Sequence, residues 1–173
     1  MLGRHSLEGV DKKLLFDAVR AGLKNADGRP RGAISSVYNK LSYEQIKPLL
    51  PAIHEAVVTP APSGIMFADG IRLAGLKLLA KHRIKEGIPL CIELMDIQRW
   101  NKNSCIMGNL KILDSYGPAA KEVLPGMREL AADLKKHREQ KMLAPHMKYL
   151  DELIAKLEKA DPSTADPLRS IKD

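Results

Sequence analysis

The sequence predicts an all-α fold built from stacked helix pairs. Three observations point there. Apolar residues recur at three- and four-residue intervals along most of the chain, the period of an amphipathic helix. No segment of any length alternates as a strand does. A short proline-containing box returns every 36–38 residues. Composition agrees, since 24 of the 173 residues are leucine and only 7 are aromatic. Such a chain fills layers with aliphatic side chains. The apolar share of 45% is ample for a core and excludes global disorder. The length suits one domain, expected over residues 1–160, followed by a flexible tail over 161–173.

The elements follow in order. Asp11 is placed to N-cap a helix running to Lys24, with Leu14, Leu15, Ala18, Val19 and Leu23 on one face. Asn25 to Gly32 is punctuated by glycine and proline and reads as a loop. A second helix is expected over about 33–41. Ser42-Tyr43-Glu44-Gln45 has the spacing of a capping box. The helix it opens contains Pro48 and Pro51, which remove backbone donors and crowd the carbonyls of Glu44 and Lys47. A kink or a restart at the prolines is expected. Thr59 to Gly64 breaks the pattern. A helix from Met66 to about His82 follows, with Gly75 on its apolar face. That glycine costs about 1 kcal/mol against alanine, which argues for a close helix–helix approach.

Ile88 to Arg99 is the next helix, broken at Trp100-Asn101-Lys102-Asn103. Ser104 to Tyr116 stops at Gly117-Pro118. Ala119 to about Gln140 is long and contains Pro125. The last helix, about 144–159, carries Met147, Leu150, Ile154 and Leu157. Beyond it, residues 161–173 are polar and hold two prolines.

The repeated box reads Leu50-Pro51-Ala52-Ile53-His54-Glu55, then Ile88-Pro89-Leu90-Cys91-Ile92-Glu93, then Leu124-Pro125-Gly126-Met127-Arg128-Glu129. Leu76-Lys77-Leu78-Leu79 likewise aligns with Leu110-Lys111-Ile112-Leu113. One amphipathic pair cannot bury its own apolar face, so pairs stack and share a core. The recurrent glutamate reads first as a solvated or dipole-complementing charge.

With these motifs the chain resembles the HEAT/armadillo-like repeat family over about residues 12–140. The resemblance is carried by Asp69-x-x-Arg72, the Leu76-Lys77-Leu78-Leu79 run, and Gly117-x-x-Ala120-x-x-x-Leu124-Pro125. It implies a short right-handed α-solenoid of about four helix pairs. The first pair, 12–41, lacks the proline box, and the last helix is out of period and would serve as a cap. The tetratricopeptide signature positions are absent. The chain also looks like a helical region of larger bacterial proteins. Its amphipathic start without a secretory signal suits an excised domain, and no apolar run approaches the length of a membrane span.

The formal charge of +7 invites a nucleic-acid reading. Residues 1–60, 61–116 and 117–173 carry +3, +3 and +1, so the excess is mild and evenly spread. Aromatic stacking platforms are scarce. The five histidines, at 5, 54, 82, 137 and 146, form no zinc-helix spacing, and Cys91 and Cys105 form no Cys-x-x-Cys pair. No nucleophile elbow or phosphate-binding glycine loop occurs. No cofactor or metal is expected.

Two constellations remain. Lys81-His82-Arg83 is echoed by Lys135-Lys136-His137-Arg138, both near predicted helix ends. Cations there complement the helix dipole, or else face an anionic partner. Arg29 and Arg31 lie in the first loop, and Trp100 and Lys102 in a later one. Loops along one edge of a solenoid can form a site, and a loop tryptophan can anchor a partner or simply cover the core. The residues expected to bind a partner are therefore Arg29, Arg31, Lys81, Arg83, Trp100, Lys102, Lys136 and Arg138. The expected function is a non-catalytic protein-interaction or scaffold module. The alternatives are a nucleic-acid-binding protein and a helical accessory domain of a larger enzyme. Some HEAT-like proteins are alkylpurine DNA glycosylases, and under that resemblance Trp100, Asp96 and Asp114 would be the candidates.

Overall fold

The computed structural model describes residue 9, residues 11–35 and residues 37–173. The polar opening, residues 1–8 and 10, lies outside them. The described residues are 74% helical, with seven α-helices of eight residues or more and no strand. Contacts divide the chain into two compact units, the first ending at Leu78 and the second spanning Leu79–Ile171.

The first unit opens with α1 (Lys12–Leu23), whose N-cap Asp11 accepts from the amides of Lys13 and Leu14. Its buried stripe is Leu15, Val19 and Leu23. Leu14, expected on that face, is 71% exposed because the stripe is only one residue wide per turn. Helix α2 (Gly28–Ser35) begins inside the expected loop. Asp27 Oδ1 accepts from the Arg29 amide at 2.9 Å, and Pro30 falls in the first turn, where a missing donor costs nothing. A 3-10 turn, Tyr38–Lys40, replaces the rest of the expected second helix.

The capping box forms as expected at the start of α3 (Tyr43–Ile46), with Ser42 and Gln45 bonding reciprocally. Pro48 lies in a 3-10 turn, Lys47–Leu49, and α4 (Leu50–Val58) restarts with Pro51 in its first turn. The two prolines thus break the helix and reopen it. A 3-10 turn at Ile65–Phe67 leads into α5 (Ala68–Lys81). A methyl group built on Gly75 would overlap Val57 Cγ2, so the glycine marks the close approach of α5 to α4.

In the second unit α6 (Gly87–Glu93) is shorter than expected. Asp96 Oδ1 accepts from the Gln98 amide and turns the chain, a local bond that competes with helix. α7 (Lys102–Tyr116) ends at Gly117 with φ 60°. A 3-10 stretch, Gly117–Val123, precedes α8 (Leu124–Lys136), which starts one residue before Pro125. α9 (Gln140–Lys159) begins a turn earlier than expected and tolerates Pro145 near its start. Within this unit α6 packs on α7, and α9 packs on both α7 and α8.

The sequence repeat has a burial counterpart. Leu50, Ile88 and Leu124 are all buried, as are Ile53, Cys91 and Met127 three residues on. Glu55, Glu93 and Glu129 are all exposed, which favours the solvated reading of the recurrent charge. In both four-residue runs the lysine is exposed and the other three residues are buried.

Candidate functional site

Most of the cations singled out in the sequence are tied to the chain's own carbonyls and carboxylates. Arg31 is buried and donates to the carbonyls of Asn25 at 2.7 Å and Thr59 at 2.8 Å. It therefore fastens the first loop to the end of α4. Arg29 stays at the surface but pairs with Asp27, Nε to Oδ2 at 2.9 Å. The side-chain bond to Arg29 holds the Asp27 carboxyl below its ordinary range. Both arginines belong to the first unit, whereas Lys81, Arg83, Trp100, Lys102, Lys136 and Arg138 belong to the second.

Arg83 is a structural hub. Its φ of 59° is the sole positive value among described non-glycine residues. Its guanidinium donates to the carbonyls of Ser115 at 3.3 Å, Tyr116 at 3.0 Å and Asp166 at 3.2 Å, and stacks 5.7 Å from the Tyr116 ring centre. Two of these carbonyls close α7, where helix geometry leaves acceptors unpaired. Lys121 does the same at the end of α9, donating to Glu158 and Ala160. Lys81 and Lys136 are exposed in the last turns of α5 and α8, the dipole-complementing placement the sequence suggested.

Within the stretch expected to be a tail, Asp166–Ile171 is hydrogen-bonded to the turn that follows α5. Ile84 and Arg169 form a parallel bridge: the Arg169 amide donates to Arg83 O at 2.8 Å and the Lys85 amide to Arg169 O at 2.9 Å. Arg169 also donates to the His82 carbonyl at 3.1 Å. Glu86 accepts from Ser170 Oγ at 2.6 Å and from the Ile171 amide at 3.2 Å. Burial opposes the charge on Glu86, but the bonds from Ser170 and Ile171 and the nearby Lys85 outweigh it and hold the carboxyl below its ordinary range. Glu86 gave no signal in the sequence, because its partners lie more than 80 residues away.

Two of the expected residues, Lys102 and Arg138, meet on Glu139 where α7 begins and α8 turns into α9. Lys102 is almost enclosed, and its Nζ lies 2.7 Å from Glu139 Oε2. Arg138 Nε lies 3.5 Å from Glu139 Oε1. The bond from Lys102 is the main reason the Glu139 carboxyl stays below its ordinary range. His146 Nε2 lies 3.0 Å from the Asn103 carbonyl, and Asn103 Nδ2 approaches Met142 Sδ at 3.9 Å. Asn103 Oδ1 and His146 Nδ1 are buried there without a hydrogen-bond partner. Trp100, in the turn just before α7, is 79% exposed, and Met142 is 50% exposed. Lys136 closes the neighbouring α8.

Asp96 and Asp114 each accept hydrogen bonds from within the chain. Asp96 is spent on its own turn. Asp114 lies near the far end of α7, where it accepts from Tyr149 Oη at 3.1 Å and Lys156 Nζ at 2.6 Å. Among the described residues no group of three or more His, Cys, Asp or Glu is placed to hold a metal ion. Among them too, no helix is long and apolar enough to cross a membrane. Comparison of the chain with protein-family models, with curated proteins and with solved structures returns no match.

Proposed function

We propose that the chain is a non-catalytic protein-interaction module of HEAT-like stacked helix pairs, docking a partner protein through Trp100. The observation that carries this reading is Trp100, 79% exposed in the turn that leads into α7, two residues before Lys102, whose ion pair with Glu139 ties this end of α7 to the start of α9. Tryptophan, methionine and arginine are the residue types enriched at protein interfaces. The Lys102–Glu139 pair links α7, which Trp100 precedes by two residues, to the start of α9, so the turn adjoins packed helices. A rigid platform lowers the ordering cost of binding. The matched burial of the repeated boxes supports the stacked-pair architecture.

The charge pattern favours a protein over a nucleic acid. A phosphate surface needs cations free to displace counterions. Here Arg29, Arg31, Arg83, Lys102 and Arg138 all have intramolecular partners.

The test uses the fact that Trp100 is the single tryptophan. A photo-crosslinker at Met142 recovers the partner, which is then purified and titrated against the full chain. The expected result is a blue shift of Trp100 emission on binding, and a loss of at least about thirtyfold in affinity in W100A. A partner that binds W100A as well as the parent and leaves the emission unchanged overturns the reading. So does tight, salt-sensitive binding to duplex DNA at about 50 mM salt.

A further inference from the structure

The turn between α5 and α6 holds a C-terminal segment, paired main chain to main chain at Arg169, as a receptor holds a peptide. Over the six residues Asp166–Ile171 the segment is gripped at Asp166 by Arg83, at Arg169 by the Arg83 carbonyl and the Lys85 amide, and at Ser170 and Ile171 by Glu86. Two of these anchors pair main chain with main chain at a parallel bridge, the pattern by which an extended peptide adds to an exposed edge. Arg83 and Glu86 also take the strap's main chain at Asp166 O and Ile171 N, and two bonds read side chains: the His82 carbonyl takes the Arg169 guanidinium, and the Glu86 carboxylate takes the Ser170 hydroxyl. The receptor side is held in a conformation that sterics disfavour, with Arg83 in the left-handed region. Its stacking on Tyr116 and its bonds to the end of α7 fix that turn independently of the segment.

We propose that the turn His82–Glu86 is a peptide-binding clip, filled in cis by Asp166–Ile171, that takes an extended arginine–serine segment of a partner protein once this strap is displaced. The main-chain bonds accept any extended segment. The His82 carbonyl and the Glu86 carboxylate select an arginine followed by a hydroxyl residue. The strap follows α9 after a short stretch, so its effective concentration is in the millimolar range and it acts as a competitor built into the chain. This clip is a second site, separate from the Trp100 surface in residues and in chemistry.

The probe is a fluorescent peptide of residues 165–173, titrated against the full chain. The double variant R169P/S170A removes the strap's amide donor, guanidinium and hydroxyl and leaves the receptor turn unchanged. The peptide is expected to bind this variant at least about tenfold more tightly than it binds the parent. Adding E86A to the double variant should weaken binding by about tenfold again. In the parent, hydrogen exchange should show protected amides at Lys85, Arg169 and Ile171. In R169P/S170A the Lys85 protection should fall and return on saturation with peptide. S170A alone, the milder change, should move in the same direction by a smaller factor if the double variant folds poorly. Equal binding to parent and variants, or no binding to a folded R169P/S170A at about 1 mM peptide, overturns the clip. W100A leaves peptide binding unchanged, so a failure of the clip and a failure of the Trp100 surface are read separately.

Discussion

Lys102 Nζ and Glu139 Oε2 meet at 2.7 Å, with the lysine side chain 7% exposed and the glutamate 31% exposed. The lysine has been taken out of water, and this carboxylate balances its charge. Removing one member of such a pair is worse than removing both, because the survivor keeps its desolvation cost. E139Q should therefore lower the melting temperature by several degrees. K102M/E139Q should recover most of that loss, since methionine fills the lysine's volume without a charge. Thermal unfolding of the three proteins checks this. A double variant no more stable than E139Q would show that the pair is incidental.

Gly75 gives a prediction whose sign opposes helix propensity. In an open helix, alanine would gain about 1 kcal/mol over glycine. Here the added methyl meets Val57 Cγ2, in the wall of α4. Overpacking typically costs about 1–3 kcal/mol, so G75A should be net destabilising. G75A/V57A, which opens space for the methyl, should unfold at higher denaturant than the sum of the single changes implies. Urea denaturation of the four proteins closes the cycle.

Gly75 and the capping box show what was legible in the sequence. Both depend on residues whose meaning is local: a glycine where alanine is preferred, and a Ser–Gln pair three apart. The repeated proline box was legible for the same reason, and its buried and exposed positions recur as its spacing implies. Local signals also misled. Glycine and proline at 28–32 read as a loop, yet Pro30 fits a first helical turn. The docked strap and the Glu139 anchor were not legible. Lys102 and Glu139 are 37 residues apart and Glu86 and Ser170 are 84 apart, and no period connects them. For Trp100, the sequence named the residue and left open whether it covered the core or faced outward. Its exposure settles only that it faces outward.

The two thiols should be chemically silent in the folded chain. Cys91 is fully enclosed in α6, and its Sγ lies 3.2 Å from the Gly87 carbonyl. Burial pushes its thiol up to about 12, so almost no thiolate exists at neutral pH. Cys105 is buried in α7. An aromatic disulfide reagent should label neither cysteine within minutes in native buffer and both after unfolding in guanidinium. Rapid native labelling of one site would show that α6 or α7 opens locally at low cost.

Acid should loosen this protein in two steps, and His82 sets the first. Burial, followed by the charges of Lys81 and Arg169, lowers the His82 pKa below the ordinary 6.5. A histidine depressed in the folded state binds its proton more readily when the chain is unfolded. Stability is then whole above about pH 6.5, falls as the pH drops from there through the folded value, and levels off below it. Glu139 works in the same direction at lower pH. Its carboxyl is held below the ordinary 4.5, chiefly by the bond from Lys102, so its contribution is complete above that value and is lost as the pH passes through the folded one. Denaturant midpoints should thus fall between pH 7.5 and 5.5 in the parent and fall less in H82N, which keeps a planar polar side chain without the titration. Below about pH 4.5 the E139Q midpoint should fall less than the parent's. A parent midpoint that is flat from pH 7.5 to 5.5 would mean that His82 is as easily protonated in the fold as outside it.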